Sequence, residues 1–159
     1  MDTLPQSPAS HGLRARRLLA VVALLALMLL ASACSRPAVR LVDDGASYSV
    51  DEARSRAATM QAGAAASVRV EGAIDARRDA LVALRRIGAV GNRAADVLTR
   101  EFPVDTKAVP FYVEAATVEP REVWIVVEAW GGRTGKLEKR RLWILDRSTG
   151  SVVTVAPLR

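Results

Sequence analysis

Cys34 carries the most reactive side chain in this sequence, and it is the only cysteine among the 159 residues. In its thiolate form a cysteine acts as a nucleophile or as a ligand for soft metals. Without a second cysteine in the chain, the sulfur of Cys34 cannot form an internal disulfide. We therefore expect the sulfur of Cys34 to be modified by another molecule, and the neighbouring residues indicate which modification this is.

The segment before this cysteine has three parts in a fixed order. Arg14, Arg16 and Arg17 precede a 14-residue apolar run, residues 18–31, and small residues come after it. This order is typical of a secretory signal peptide. As a helix the run would rise about 21 Å, which is short of the roughly 30 Å hydrocarbon core of a bilayer. The pattern predicts an N-terminal signal helix within residues 1–33 that is cleaved on export.

The end of the signal, Ala31-Ser32-Ala33-Cys34, resembles the lipobox of bacterial lipoproteins. Ser32, Ala33 and Cys34 match that family's pattern, whereas Ala31 stands where leucine is usual. The resemblance implies a diacylglyceryl thioether on the Cys34 sulfur, cleavage just before Cys34, and often acylation of the new amine by a fatty acid such as palmitate. It also implies a protein that is lipid-anchored to the cell membrane or outer membrane and faces outside the cytoplasm.

Two other export routes are compatible with the same residues. Ala31-Ser32-Ala33 also satisfies the Ala-x-Ala rule for an ordinary secretory signal, which would leave Cys34 unmodified. Arg16-Arg17 could belong to a twin-arginine signal, but the residues around the pair match that longer motif poorly. We expect lipidation because Cys34 is unique and has no disulfide partner.

Length and charge constrain the part of the chain after the signal. Removing residues 1–33 leaves 126 residues, enough for one small domain and a tether. Twenty basic residues then face sixteen acidic ones, a net charge of +4. This mild excess allows weak attraction to anionic headgroups or acidic polymers. We expect no nucleic-acid partner, because an exported protein rarely meets one and no nucleic-acid-binding motif is present.

Residue types argue against most enzyme classes. The only histidine, His11, lies in the signal, and lipid would block Cys34. Such a chain has no Ser-His-Asp or Cys-His arrangement and no histidine or cysteine zinc site. No phosphate-binding glycine loop or dinucleotide fingerprint is present either. We therefore predict a protein that is not an enzyme, with no catalytic residue, no metal and no cofactor except the covalent lipid.

Carboxylates supply the alternative, an envelope hydrolase that uses acidic residues alone. Each candidate pair falls where an acidic residue has an ordinary role, in a tether, a helix cap or a turn. The pairs are Asp43-Asp44, Asp51-Glu52, and Glu119 with Glu122. Asp146 with Ser148 and Thr149 supplies only a fragment of a calcium loop.

The first half of the mature chain has the pattern of a tether and then helices. Residues 34–48 contain Pro37 and Gly45 and predict a flexible tether, although Val39, Leu41 and Val42 could instead form a short edge strand. Three helix starts come next. Ser49 with Glu52 forms a capping-box signal, Asp75 could cap a second helix with Leu81, Leu84 and Ile87 at helical spacing, and Asn92 could cap a third with Ala94, Val97 and Leu98.

In the second half of the mature chain the residue pattern is typical of β-strands. Residues 109–118, 122–130, 140–146 and 151–156 are rich in β-branched and aromatic residues and are separated by turn signals. Short connections favour an antiparallel meander. The predicted fold class is α+β, with two to three helices packed on a four-stranded antiparallel sheet in a single domain, residues 49–159. On the second strand we expect Val123, Ile125, Val127 and Ala129 in the core, and Trp124, Val126, Glu128 and Trp130 partly solvated.

Trp124, Trp130 and Trp143 are three of the seven aromatic residues, and all lie in predicted strands. Across paired strands Trp124 or Trp130 could approach Trp143 and form an exposed aromatic patch. Such a patch would bind a peptide, a glycan or an envelope protein. The alternative is that the three side chains cover the core.

The last 40 or so residues resemble the end of PepSY domains. The resemblance lies in the strand of residues 122–128, a glycine-bearing hairpin, and residues 142–146 with Ser148-Thr149-Gly150 after them. It implies a small binding or inhibitory module of the cell envelope. The element order is also similar to that of outer-membrane lipoproteins that help to assemble barrel proteins. We therefore expect a lipoprotein anchored to the membrane and acting as a non-catalytic binding or interaction module.

Overall fold

The computed structural model describes residues 39–159; the signal and the residues Ala31, Ser32, Ala33 and Cys34 lie outside the described part. Two short strands come first, β1 (Arg40–Val42) and β2 (Ser47–Tyr48). Three helices are next, α1 (Val50–Thr59), α2 (Ala73–Arg85) and α3 (Ala89–Glu101), with 3₁₀ turns at Gly63–Ser67 and Val70–Gly72 between α1 and α2. The chain ends with β3 (Ala108–Val118), β4 (Arg121–Trp130), β5 (Lys139–Asp146) and β6 (Val152–Leu158).

The α+β class and the antiparallel meander are confirmed, but the sheet is larger than predicted. Strands β3 to β6 pair antiparallel in chain order. Both β1 and β2 add to the outer edge of β3 in parallel orientation, so the sheet is mixed and has six strands. The fold therefore begins before residue 49, within the segment predicted as a tether. The physical reason is that the 11-residue β3 needs partners for its edge, and that Val39 becomes buried.

Helices cover both faces of the sheet. Glu114 on β3 pairs in register with Ile125, and it contacts Arg56 of α1. Glu128 on β4 contacts Arg77 of α2. Because Ile125 and Glu128 are an odd number of residues apart on one strand, their side chains point to opposite faces. Helix α1 therefore lies on one face, and α2 lies on the other.

The prediction that one face of β4 is partly solvated is wrong for most of that face. Trp124, Val126 and Glu128 are fully buried, and only Trp130, the last residue of the strand, is partly exposed. Both residue sets along β4 are largely apolar. Such a near-continuous apolar run is the pattern of a strand buried on both faces.

Of the three predicted helix caps, only the one with a complete capping box is found in the structure. Ser49 accepts a hydrogen bond from the Glu52 backbone N–H, and the Glu52 carboxylate accepts one from the Ser49 N–H, which confirms the capping box. Neither Asp75 nor Asn92 is a cap. Helix α2 begins after Gly72, and α3 begins after Gly88, whose φ of 119° is a conformation that favours glycine.

Helices α2 and α3 pack closely as an antiparallel hairpin. Gly91 in the first turn of α3 lies against the backbone carbonyl of Leu84 in the last turn of α2. Leu84 and Leu98 are fully buried in the core that this hairpin forms with the sheet. Nowhere in residues 39–159 does a helix combine the length and the apolar character that crossing a membrane requires.

Because Gly91 lies so close to Leu84, we expect that adding even a methyl group at position 91 lowers the stability of the fold. In Gly91→Ala the new Cβ would overlap the Leu84 carbonyl oxygen. We expect a loss of about 1–3 kcal/mol in the free energy of unfolding, despite alanine's higher helix propensity. Urea denaturation measures this loss. Gly72→Ala is the matched control, because its Cβ would meet no atom within 4 Å, and equal stability of the two variants would contradict the packing argument.

Candidate functional site

The carboxylate of Glu128 is fully buried and accepts three side-chain hydrogen bonds. Its Oε1 accepts a hydrogen bond from Nη1 of Arg77 at 2.6 Å. Its Oε2 accepts bonds from Nε of Arg141 at 3.1 Å and from Nε1 of Trp143 at 2.9 Å. Both oxygens are therefore satisfied by donors from α2 and β5, which compensates for removing the charge from water.

Arg77 extends this cluster to two further elements. Its guanidinium donates to the backbone oxygens of Ala108, at 3.2 Å, and Leu98, at 3.3 Å. It also lies 5.1 Å from the centre of the Phe102 ring. The end of α3 and the start of β3 are thus bonded to the same guanidinium that neutralises Glu128. Arg77 therefore connects the two helices α2 and α3 to the sheet through hydrogen bonds.

A second buried carboxylate, Glu114, lies on the opposite face of the sheet. The hydroxyls of Tyr48, at 2.9 Å, and Tyr112, at 2.6 Å, both donate to it. The Nε of Arg56 lies 3.5 Å from its Oε2. Burial, together with the hydrogen bond to Glu114, raises the pKa of Tyr112 to about 12. Tyr112 is therefore a neutral donor at ordinary pH.

Beside the Glu114 cluster is a cavity of about 480 Å³. It lies at the C-terminal end of α1, against the Gly63–Ser67 turn and the strands β1 and β3. Arg40 and Arg56 supply positive charge, and no carboxylate belongs to the lining. The full lining is Arg40, Arg56, Thr59, Met60, Gln61, Ala62, Gly63, Ala64, Ala65, Phe111 and Tyr112. A volume of this size is in the range of small-molecule sites.

A β-bulge shapes the floor of this cavity. Pro110 pairs with Glu128, and Tyr112 pairs with the next residue of β4, Val127, so that Phe111 is an extra residue on β3. Adjacent side chains on a regular strand point to opposite faces. The bulge changes that alternation and allows Phe111 and Tyr112 to line the same cavity.

Arg56 is held at the cavity wall by neighbours that leave part of it accessible. Its Nη2 lies 3.5 Å from the Tyr112 hydroxyl, and 43% of its side chain is exposed. Its guanidinium also stacks 5.5 Å from the centre of the Tyr48 ring. Within residues 39–159 Arg40 has no carboxylate within ion-pair distance, so its charge is available to a ligand.

The three tryptophans do not form one exposed patch. Trp124 is only 1% exposed and belongs to the core. Trp143 is partly buried edge-to-face against Phe102, with ring centres 5.0 Å apart. Trp130 is partly buried, and the Lys139 ammonium lies 5.0 Å from its ring centre. The proposed aromatic surface is therefore wrong for Trp124, and ligand contact at Trp130 and Trp143 stays a prediction.

The carboxylate pairs named from the sequence are all exposed. Asp43-Asp44 lie between β1 and β2, Asp51-Glu52 in the first turn of α1, and Glu119 and Glu122 in the turn before β4 and at its start. Asp146 instead organises the turn between β5 and β6. Its Oδ1 accepts bonds from the hydroxyl and backbone N–H of Ser148 and from Thr149, and these bonds lower the pKa of Asp146 to about 2. In the part of the chain that the structure describes, no three potential metal ligands cluster.

No family model, no curated protein and no solved structure matches this chain. The resemblances to lipoproteins and to PepSY domains therefore stay hypotheses that depend on the quoted residues.

Sequence reasoning missed Glu114, Glu128 and the cavity. A signal for both glutamates was present, since each is a charged residue inside a strand of small and β-branched apolar neighbours. A carboxylate in such a run must find donors or lose its charge. No comparable signal marks the cavity, because its lining comes from three separate stretches of the chain, at residues 40, 56–65 and 111–112.

The Glu128 cluster predicts that replacing Arg77 destabilises the protein far more than replacing its neighbour Arg78. In Arg77→Met the buried carboxylate loses its shortest ion pair, and we expect unfolding to become easier by about 3–5 kcal/mol. In Arg78→Met only an exposed pair with Asp75 is lost, and we expect a change below about 1 kcal/mol. Urea denaturation of both variants tests this, and similar losses in both would show that burial of the Arg77 pair is unimportant.

The raised pKa of Tyr112 predicts a loss of stability in alkali. The unfolded chain releases this proton near pH 10 and the folded chain near 12. The folded state therefore binds more protons in that interval, and its stability falls as the pH rises from about 10 to 12. Free energies of unfolding measured across this range should fall less steeply for Tyr112→Phe. An equal slope in both proteins would contradict the assignment.

Proposed function

We propose that this chain is a lipid-anchored lipoprotein of the bacterial cell envelope whose folded domain is a non-catalytic binding module, with the 480 Å³ cavity as its binding site. The observation that carries the binding role is the cavity itself, which combines two arginines with an apolar floor. The residues that support the anchoring are Ala31, Ser32, Ala33 and Cys34.

The position of the fold along the chain is consistent with an anchor at Cys34. Val39, the first residue that the structure describes, comes five residues after Cys34, and five residues span at most about 18 Å when fully extended. A lipid on Cys34 would therefore hold the domain close to the headgroups. Arg40, which lines the cavity, comes directly after Val39, so the binding site would also be near the membrane.

The lining defines the class of ligand. Arg40 and Arg56 favour a carboxylate or another single anionic group. Met60, Phe111 and three alanines offer apolar contact. The ligand is thus a small molecule with an anionic group next to an apolar one, and the C-terminal residue of a peptide has this chemistry.

The arrangement of carboxylates favours binding over hydrolysis. A hydrolase that works with acidic residues needs two carboxyl groups about 5–10 Å apart in one cleft. The cavity lining contains none. The two buried glutamates, Glu114 and Glu128, lie on opposite faces of the sheet and cannot act on one substrate.

Anchoring predicts the fate of a Cys34→Ala variant expressed in a bacterial host. Without the sulfur nucleophile, the chain should keep its signal and incorporate no labelled palmitate. The matched control is Ser35→Ala, which should be processed and labelled as the unaltered chain is. Mass spectrometry of the N-terminus and fatty-acid labelling measure both outcomes. Normal cleavage and labelling of Cys34→Ala would contradict the proposed anchor.

The two arginines of the cavity predict that it binds an anionic ligand more tightly than the matching uncharged one, and calorimetry measures both affinities. We expect N-acetylphenylalanine to bind at least about tenfold more tightly than its uncharged amide, because only the acid pairs with the arginines. Arg40→Gln should remove most of that preference. Arg54→Gln is the control, since Arg54 is exposed on α1 but does not line the cavity. No binding of the acid, or equal loss in both variants, would contradict the proposal.

A further inference from the structure

The three lysines of this chain all lie at one end of the sheet. Lys107 directly precedes β3, Lys136 lies in the connection between β4 and β5, and Lys139 begins β5. The antiparallel register brings these points together, because Ala108 at the start of β3 pairs with Trp130, and Trp130 pairs with Lys139. We call this part of the surface the lysine end.

The positive charges of the lysine end are exposed and have no ion-pair partner. Arg133 adds a fourth charge to those of the lysines, and all four side chains are exposed. Within residues 39–159 none of them has a carboxylate within ion-pair distance. Asp105 and Glu138 are near them in sequence, which leaves an excess of positive charge. The Lys139 ammonium lies over the partly exposed ring of Trp130. Cations beside an accessible tryptophan are typical of surfaces that contact lipid headgroups.

The opposite end of the sheet has the opposite charge. There β3 and β4 meet at the turn between Val118 and Arg121, and α1 begins beside it, where the Val50 N–H donates to Glu119. These turns also contain Arg147, but carboxylates are in excess. The exposed carboxylates of this end are Asp43, Asp44, Asp51, Glu52, Glu119 and Glu122. An anionic surface would therefore attract the lysine end and repel the opposite end.

The described chain also enters the sheet from the lysine end. Strand β1 is parallel to β3, and Arg40 pairs with Tyr112. Both strands therefore run away from the lysine end, and Val39 lies on the lysine side of β1. Because Cys34 is only five residues before Val39, a lipid on its sulfur would bring the lysine end, and not the acidic end, towards the membrane.

We propose that the lysine end binds the anionic headgroups of the membrane surface, with its four cations on lipid phosphates and Trp130 at headgroup depth. Each basic residue near an anionic surface contributes roughly a factor of five to binding. A membrane fits this surface better than a soluble acidic polymer does, because the chain enters the fold at the same end. This inference rests on the proposed anchor for the position of the membrane, and it does not involve the cavity.

Acetylation of amines tests the lysine end directly, because every lysine of the chain belongs to it. The purified full chain is added to vesicles of phosphatidylcholine, or of equal parts of phosphatidylcholine and phosphatidylglycerol, and mass spectrometry measures acetylation. Residues 18–31 are apolar, so we expect the chain to associate with both vesicles whether or not Cys34 is lipidated. The lysines should react at least about fivefold more slowly on the vesicles that contain phosphatidylglycerol. Carbodiimide labelling of Glu119 and Glu122, at the other end, should be equal on both.

Two outcomes of this measurement would overturn the proposal. One is equal acetylation on both kinds of vesicle, which would exclude the lysine end as a lipid-binding surface and leave the anchor at Cys34 untouched. The other is protection of the lysines by soluble polyglutamate but not by vesicles, which would identify an acidic polymer as the partner.

Charge reversal separates the lysine end from the general positive charge of the domain. In the double variant Arg133→Glu with Lys136→Glu, we expect the two remaining lysines to lose their protection by phosphatidylglycerol. The matched control is Arg54→Glu with Arg121→Glu, which removes the same charge from exposed residues away from the lysine end and should keep the protection. Circular dichroism checks that both variants are folded. Equal protection in the two double variants, or equal loss, would overturn the proposal.

Discussion

The buried ion pair between Arg77 and Glu128 is the interaction on which the arrangement of helices and sheet depends. Removing both charges from water is costly, and the cost is offset only when every oxygen and N–H finds a partner. In the cluster both oxygens of Glu128 accept hydrogen bonds, and Arg77 donates three, with partners from α2, α3, β3, β4 and β5. The directional bonds of Arg77 add to the apolar packing of the α2–α3 hairpin on the sheet.

The sheet carries a second buried carboxylate on its other face, and this one serves the cavity. Glu114 receives the hydroxyls of Tyr48 and Tyr112 and attracts Arg56. Its charge thus fixes three side chains from β2, β3 and α1, two of which line the cavity. One glutamate positions a helical hairpin and the other positions the wall of a proposed binding site. The two faces of the sheet therefore have different roles although they are built from the same strands.

Local signals in the sequence predicted local structure. Contacts between residues that are distant along the chain could not be predicted from the sequence. The Ser49–Glu52 capping box and the turn residues between strands lie within a few residues of the structure they determine. The bond between Arg77 and Glu128 joins residues 51 positions apart, and no periodicity reports it. Glu128 and its tryptophan neighbours looked like a solvated face because residue type alone does not show that a hairpin packs on them. The cavity depends on a bulge at Phe111, which alternation of side chains cannot reveal.

The pairing of β1 with β3 has a mechanical consequence. Arg40 lies beside Tyr112, so this strand cannot dock until most of the domain has been synthesised and β3 has formed. Only three residue pairs hold β1 in the sheet. A pull applied to the chain ahead of Val39 therefore loads the shortest ladders first, and β1 can peel away from β3 while the four-stranded meander keeps its pairing. The shortest ladders of the sheet are therefore those of its two N-terminal strands, β1 and β2.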